Sequence, residues 1–352
     1  MKFAIDKLDR SGRGLPCALR AAAGALLLTL AACGGGERVS SFAPQRLLVF
    51  GDEASVIAGG NLTDVDGNVI AAEPGAKYSV NARKLDATGA PLTTLDCNVL
   101  PIWVQPVANR FGFGFAECNP YVGTPPRGMI FAQVGARVAN IATQVASALP
   151  TIGAFSNTDL VTVMVGQRDI LEAYAQYPAQ SAAAVVASVE AAGERLGNQI
   201  NSIAQAGGRV LVATVPNQGG TPFAAAQNLI SAERSALLQR MTERYNASLR
   251  ATLINDGRLI GLVQADEQLQ FGLSNPSAFG YVSVSAAACT TPTAINCVAP
   301  TVAVGTVPAT PGTLVTGATA GNYLWADDRH FGVDAHARIG NLAVTRASRN
   351  PF

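Results

Sequence analysis

Short apolar runs punctuate the chain from Arg46 onward, and each has the length of a buried strand. They are rich in Val, Leu and Ile, are too short for core helices, and suit strands that have helices on both faces. The runs are Arg46–Phe50, Leu160–Val165, Arg209–Val215 and Arg258–Val263. Longer segments between them have helical periodicity, at Ala139–Leu149, about 180–205 and about 224–253. This alternation predicts an α/β fold of three layers, α/β/α, around a doubly wound parallel sheet.

The segment from Ile57 to Arg127 breaks this alternation. It is punctuated by Gly, Pro and Asn and has few periodic apolar stretches, so we expect an irregular insertion over one end of the sheet. A short helix is predicted around Trp103 to Phe111. The acidic piece Asp64–Asn68 lacks the later ligands of a calcium loop, which makes a polar turn the better interpretation.

The N-terminus is typical of an exported bacterial lipoprotein. A basic region is followed by the apolar segment Ala21–Ala32, which is shorter than the roughly 20 residues that span a bilayer and suits an export signal. The end of this segment, together with Cys33, resembles a lipobox, in which the Cys becomes lipidated. We therefore expect residues 1–32 to be the signal peptide, residues 33–45 the lipidated Cys and a tether, and residues 46–352 one domain.

Composition limits the partners of the chain. The formal net charge is +1 and only 14% of residues are charged, so nothing favours binding to nucleic acid. The four cysteines outside the signal and the lipobox favour disulfides in an exported chain. Their proximity in sequence predicts the pairs Cys97–Cys118 and Cys289–Cys297. No C-x-x-C pair occurs and His is scarce, so we expect no metal site and no cofactor.

Four sequence blocks resemble those of the SGNH (GDSL) hydrolases, in the family's order. The segment RLLVFGDEASV, Arg46–Val56, is similar to the first block, V-F-G-D-S-L-S-D. Gly135 in MIFAQVGARV matches a Gly of the second block. Gly166 and Asp169 match the third block, G-x-N-D. Asp327 and His330 match the last block, D-x-x-H.

The resemblance implies the role of each position. In the family, the first-block Ser is the nucleophile, His is the general base and Asp orients the His. The Gly N–H and the third-block Asn bind the oxyanion. In this chain Glu53 replaces the Ser and Arg168 replaces the Asn.

Two functional hypotheses follow from these replacements. The first is an envelope lipoprotein that has lost ordinary serine-esterase activity and binds an acyl-ester, lipid or glycan ligand. The second is an active hydrolase of acyl or lipid esters that uses Ser55 or another group. Metal-assisted hydrolysis through Asp52, Glu53, Asp327 and His330 is a weaker alternative. A structural envelope lipoprotein without a small ligand is a third possibility. The expected location is the bacterial envelope, on the outer membrane.

The two replaced residues also predict a contact. In the family fold their positions face the same pocket, and an Arg fork can bind a buried carboxylate with two hydrogen bonds. We therefore expect an ion pair between Glu53 and Arg168, with His330 close enough to Glu53 to compete for it. His336, on the helix that follows, is expected to have a core or capping role.

Overall fold

The central sheet consists of five parallel strands. The structure, a computed structural model, describes residues 42–301, 311–349 and 352. Its strands are β1 (Arg46–Gly51), β2 (Leu62–Thr63), β3 (Val69–Ile70), β4 (Arg83–Leu85), β5 (Pro91–Leu95), β6 (Gly128–Ile130), β7 (Asp159–Met164), β8 (Arg209–Ala213), β9 (Ile260–Val263), β10 (Ser283–Ala287) and β11 (Tyr323–Trp325). The sheet has the order β6-β1-β7-β8-β9, a doubly wound arrangement whose ligand sites lie at the carboxyl ends of the strands.

Helices pack on both faces of this sheet. They are α1 (Val104–Arg110), α2 (Asn140–Ile152), α3 (Gln167–Ala175), α4 (Ala182–Gln205), α5 (Pro222–Asn228), α6 (Arg234–Thr252), α7 (Ala265–Ser274) and α8 (Val333–Arg349). Successive side chains of β1 enter different cores, because strand residues alternate between faces. Leu47 and Val49 pack in the core that includes α1 and α8. Leu48 and Phe50 pack in the core that includes α4 and α6. The predicted three-layer α/β/α fold is confirmed.

The predicted core elements lie within a few residues of the observed ones, with one clear error. The helix expected over about 224–253 is two helices, α5 and α6. Asn228 is the last residue of α5, and its Oδ1 accepts a hydrogen bond of 2.9 Å from Ser235 N–H in the first turn of α6. The first N–H groups of a helix need acceptors outside the helix, and Asn228 provides one for α6. The break between α5 and α6 therefore has a local cause.

Two disulfide bonds each close a loop within the irregular parts of the chain. Cys97 bonds Cys118, and Cys289 bonds Cys297, the pairs that sequence proximity predicts. Beside the first bridge, Lys77 is fully buried and its Nζ donates to the carbonyl oxygens of Cys97, Val99 and Leu100 at 2.9–3.0 Å. Burial lowers the pKa of Lys77 to about 7. Through its buried side chain, Lys77 therefore holds the loop that the Cys97–Cys118 disulfide closes.

The expected N-terminal features lie outside the described residues. These are the signal peptide of residues 1–32, the lipidation site Cys33 and most of the tether. Among the described residues, no helix is both long enough and apolar enough to span a membrane.

Candidate functional site

The turn after β1 requires glycine. Gly51 has a φ of 131°, and a Cβ at this position would lie 2.0 Å from the carbonyl oxygen of Met164 on β7. The Gln144 side chain holds the turn by bonding both the N–H and the carbonyl oxygen of Gly51 at 2.8 Å. Because the backbone turns here, Asp52 and Glu53 emerge at the carboxyl edge of the sheet, where the sequence places the candidate site.

The Glu53 carboxylate bonds two groups at once. Oε1 lies 3.2 Å from His330 Nε2, and Oε2 accepts a hydrogen bond of 2.8 Å from the N–H of Gly135. The Glu53 side chain is 13% exposed. In a serine hydrolase a nucleophile bonds the base and a backbone N–H binds the oxyanion. Here one carboxylate occupies both positions.

Asp327 orients His330 from the opposite side. Its Oδ2 lies 2.7 Å from His330 Nδ1, and it also accepts a hydrogen bond of 2.8 Å from Ala294 N–H. Its Oδ1 accepts from the N–H groups of Arg329 and His330. The Tyr78 ring packs against the imidazole in a tilted arrangement, with ring centroids 5.1 Å apart. The result is a Glu53–His330–Asp327 triad, in which the two family-like residues keep their expected geometry.

Two carboxylates hold His330 in its charged form. Burial alone would lower the pKa of His330, but the charges and hydrogen bonds of Asp327 and Glu53 raise it to about 10. Burial acts in the opposite direction on each carboxylate, and the imidazolium outweighs it, so the pKa values of Glu53 and Asp327 lie below their usual range. Near neutral pH the triad is therefore an imidazolium between two carboxylates.

Asp52 differs from its neighbour. It is 5% exposed, and its Oδ1 accepts a hydrogen bond of 3.2 Å from Ala54 N–H. Burial and the adjacent Glu53 charge raise its pKa well above the usual value. Asp52 therefore caps the turn, while Glu53 carries the charge that faces His330.

The predicted ion pair between Glu53 and Arg168 is wrong. Arg168 instead donates from Nη2 to Asp66 at 2.8 Å and from Nε to Glu172 at 2.7 Å. Arg137 bonds the same two carboxylates, with its shortest contacts at 3.1 Å to Asp66 and 2.7 Å to Glu172. His330 and Gly135 already satisfy the Glu53 carboxylate, so it does not need a guanidinium partner.

The ionic cluster lies at the edge of the candidate site and consists of Arg137, Arg168, Asp66 and Glu172. Arg168 Nη1 lies 3.0 Å from the position of a Cβ built on Gly135, so the guanidinium lies beside the residue whose N–H binds the oxyanion in the family. Arg168 is near the start of α3, which begins after Gly166. Tyr245 packs so closely on Gly166 that any Cβ there would clash. Asp66, in the polar turn Asp64–Asn68, is thereby joined to the edge of the sheet, and no sequence motif indicates this role.

Ser55 cannot serve as the displaced nucleophile in this structure. It is fully buried, and its Oγ accepts a hydrogen bond of 3.0 Å from Trp103 Nε1. Trp103, itself fully buried, is the residue immediately before α1. The sequence hypothesis based on Ser55 is therefore corrected: this residue anchors the turn to the core.

His336 has the core role expected for it. It is fully buried, its Nδ1 accepts a hydrogen bond of 3.3 Å from Trp103 N–H, and burial lowers its pKa to about 3. Within the described residues, no group of three or more His, Cys, Asp or Glu side chains is arranged to hold a metal ion. Both ring nitrogens of His330 face carboxylates, so the metal-site alternative lacks a free imidazole ligand.

The triad predicts a specific dependence of stability on pH. The pKa of His330 is about 10 in the folded protein and 6.5 in the unfolded chain, so protonation of His330 stabilises the fold. This stabilisation is complete below about pH 6.5 and is lost as the pH rises through about 10. We expect the unfolding free energy of the natural protein minus that of His330→Gln to be largest near pH 6 and to shrink towards pH 10. Urea denaturation of both proteins at about pH 6, 8 and 10 measures it. A constant difference over this range would contradict a stabilising imidazolium.

Comparison with known proteins agrees with the family resemblance. The sequence profile described as GDSL-like Lipase/Acylhydrolase matches residues 48–343. No curated protein matches the chain. Among solved structures, Axe2, an acetylxylan esterase from Geobacillus stearothermophilus, is 11% identical, with 89% of this chain and 98% of that one covered and a TM-score of 0.42. Two Axe2 variants are also 11% identical with a TM-score of 0.42, covering 87% and 88% of this chain and 96% and 97% of theirs.

Proposed function

Since the chain belongs to the GDSL-like lipase/acylhydrolase family, we propose that it is a lipid-anchored protein of the bacterial envelope whose serine-esterase activity is lost or much reduced. One observation carries the proposal. Both oxygens of Glu53 are bonded to the groups that would activate a nucleophile and bind an oxyanion, His330 Nε2 and Gly135 N–H. The resident carboxylate therefore blocks the chemistry that the rest of the site supports.

Glu53 is also a poor replacement nucleophile. Attack by a carboxylate on an ester forms a mixed anhydride, which is more reactive than the ester it came from. The negative charge of Glu53 opposes a second negative charge on the tetrahedral intermediate next to it. A general base must accept a proton, but His330 is already protonated near neutral pH because its pKa is raised to about 10.

The space beside the triad supports the same proposal. A cavity lined by Asp52, Gln167, His330 and neighbouring residues has a volume of about 10 Å³, roughly the space of one water molecule. An acyl group does not fit there without movement of the surrounding side chains. We infer that a ligand of this protein, whether acylated or a glycan, binds outside this small cavity.

An assay of ester hydrolysis tests the loss of activity. We expect the exported, purified protein to hydrolyse p-nitrophenyl acetate and butyrate no faster than the matched Ser55→Ala and His330→Ala variants. Ser55→Ala removes the hydroxyl that the displaced-nucleophile hypothesis requires, so it tests that hypothesis directly. Turnover by the natural protein that disappears in either variant would contradict the proposal.

The membrane anchor is tested separately. The proposal rests on the basic region, the apolar segment Ala21–Ala32 and Cys33. We expect the natural protein to fractionate with detergent-extracted membranes and Cys33→Ser to lose that anchoring, either as a soluble protein or with its signal retained. Unchanged membrane extraction of Cys33→Ser would contradict lipidation at this residue.

A further inference from the structure

A groove of about 570 Å³ lies between α6, α7 and the loop that follows β8. Small-molecule sites commonly have volumes of roughly 300–1,000 Å³. No member of the triad lines this groove. The loop after β8 separates the two places, since Asn217 lines the groove whereas Gln218 hydrogen-bonds Gln167, which lines the small cavity beside His330. The groove is therefore a distinct feature close to the family site.

The lining combines hydrogen-bonding side chains with one exposed aromatic ring. Phe271, on α7, is 61% exposed, so its ring is accessible to a ligand in the groove. Around it lie the carboxamides of Asn217, Gln239 and Gln270 and the carboxylate of Glu243. Carboxamides and carboxylates offer the paired donors and acceptors that vicinal hydroxyl groups bind. An aromatic face suits the C–H face of a sugar ring.

The charges of the groove disfavour an anionic ligand. Asp266, Glu267 and Glu243 line it, and Arg250 Nη2, 2.7 Å from Asp266 and 3.4 Å from Glu267, offsets one of these three charges. Neither Lys nor Arg lines the groove, so an anionic ligand would lack a charged partner. Glu243 accepts a hydrogen bond of 2.8 Å from Gln239 Nε2, which leaves acceptor capacity on the carboxylate.

We propose that this groove binds a neutral oligosaccharide. One sugar ring packs against Phe271, and its hydroxyl groups bond Gln270, Gln239 and Glu243. The inference deepens the ligand-binding part of the proposed function, and it does not depend on whether the triad is inactive. The ester assay and the sugar-binding assay can therefore fail independently.

Isothermal titration of the natural protein with cellotetraose, maltotetraose and chitotetraose tests the proposal. We expect at least one of these sugars to bind with a Kd of about 1 mM or tighter. Phe271→Ala should weaken that binding by about tenfold or more, and Gln270→Ala should also weaken it. Leu229→Ala is the matched control, because Leu229 is 89% exposed but does not line the groove; it should bind as the natural protein does.

Circular dichroism of each variant checks that the fold is kept. We expect Phe271→Ala to fold normally because the Phe271 side chain is exposed. Spermine and oligogalacturonate serve as cationic and anionic probes. Failure of all three tetrasaccharides to bind would overturn the proposal. So would binding of a charged probe in their place, or sugar binding that neither Phe271→Ala nor Gln270→Ala reduces.

Discussion

Replacing Glu53 with serine and Arg168 with asparagine in one chain should produce an active esterase. We expect kcat/KM toward p-nitrophenyl acetate to exceed that of the natural protein by about 100-fold or more, the size of the effect of one oxyanion donor. The Ser hydroxyl would face His330 Nε2, and Gly135 N–H would be free to bind the oxyanion. Loss of one carboxylate would lower the pKa of His330 from about 10, so the neutral base would be available at mildly alkaline pH.

The fold should tolerate this double change. Arg137 continues to bond Asp66 and Glu172 when Arg168 is removed, so the polar turn at Asp64–Asn68 stays attached. Glu53→Ser alone should recover less activity, because the Arg168 guanidinium remains beside Gly135. The double variant combined with His330→Ala should lose the gained activity. A folded double variant that stays inert would place the cause of inactivity beyond these two positions.

Asp327→Ala should destabilise the protein by about 3–5 kcal/mol, the cost of removing one partner of a buried charge pair. The Asp327 side chain is 4% exposed, and its two oxygens accept four hydrogen bonds, from Ala294, Arg329 and His330. The substitution leaves three backbone donors and one imidazolium nitrogen without their acceptor. Denaturant unfolding near pH 7 measures the loss.

Asp328 provides a matched control one residue away. Its side chain is 44% exposed, and within the described part of the chain it forms an ion pair with Arg329, a surface contact of small value. We expect Asp328→Ala to change the unfolding free energy by less than about 0.5 kcal/mol. Equal losses from the two substitutions would show that the buried network of Asp327 does not stabilise the fold.

Sequence reasoning predicts β1, β7, β8 and β9 because these strands are largely buried, but it does not predict β6, the partly buried strand at one edge of the sheet. Strands buried on both faces are continuous apolar runs, and β1 and β7 stand out for this reason. The ends of helices depend on single side chains and tertiary contacts. The break between α5 and α6 was missed because it depends on Asn228 and on turn geometry rather than on hydrophobic periodicity.

In the site, local motifs were more informative than distant contacts. The resemblance of the D-x-x-H block implies that Asp327 orients His330, and their side chains are hydrogen-bonded at 2.7 Å. The partners of Arg168 were not predicted, although Glu172 lies at i+4 on the same helix, a spacing that favours ion pairs. Asp66 is far away in sequence, and the burial of Ser55 depends on Trp103, so no local pattern could reveal either contact.

The two hydrogen bonds of Glu53 have a consequence for any product of ester hydrolysis. A carboxylic acid released by hydrolysis offers the same two oxygens that Glu53 already places against His330 and Gly135. Glu53, however, is tethered by its own backbone, and a tethered group competes at an effective concentration of about millimolar or higher. Free carboxylates at ordinary levels therefore do not displace it, and the pocket behaves as though permanently occupied by its own end product.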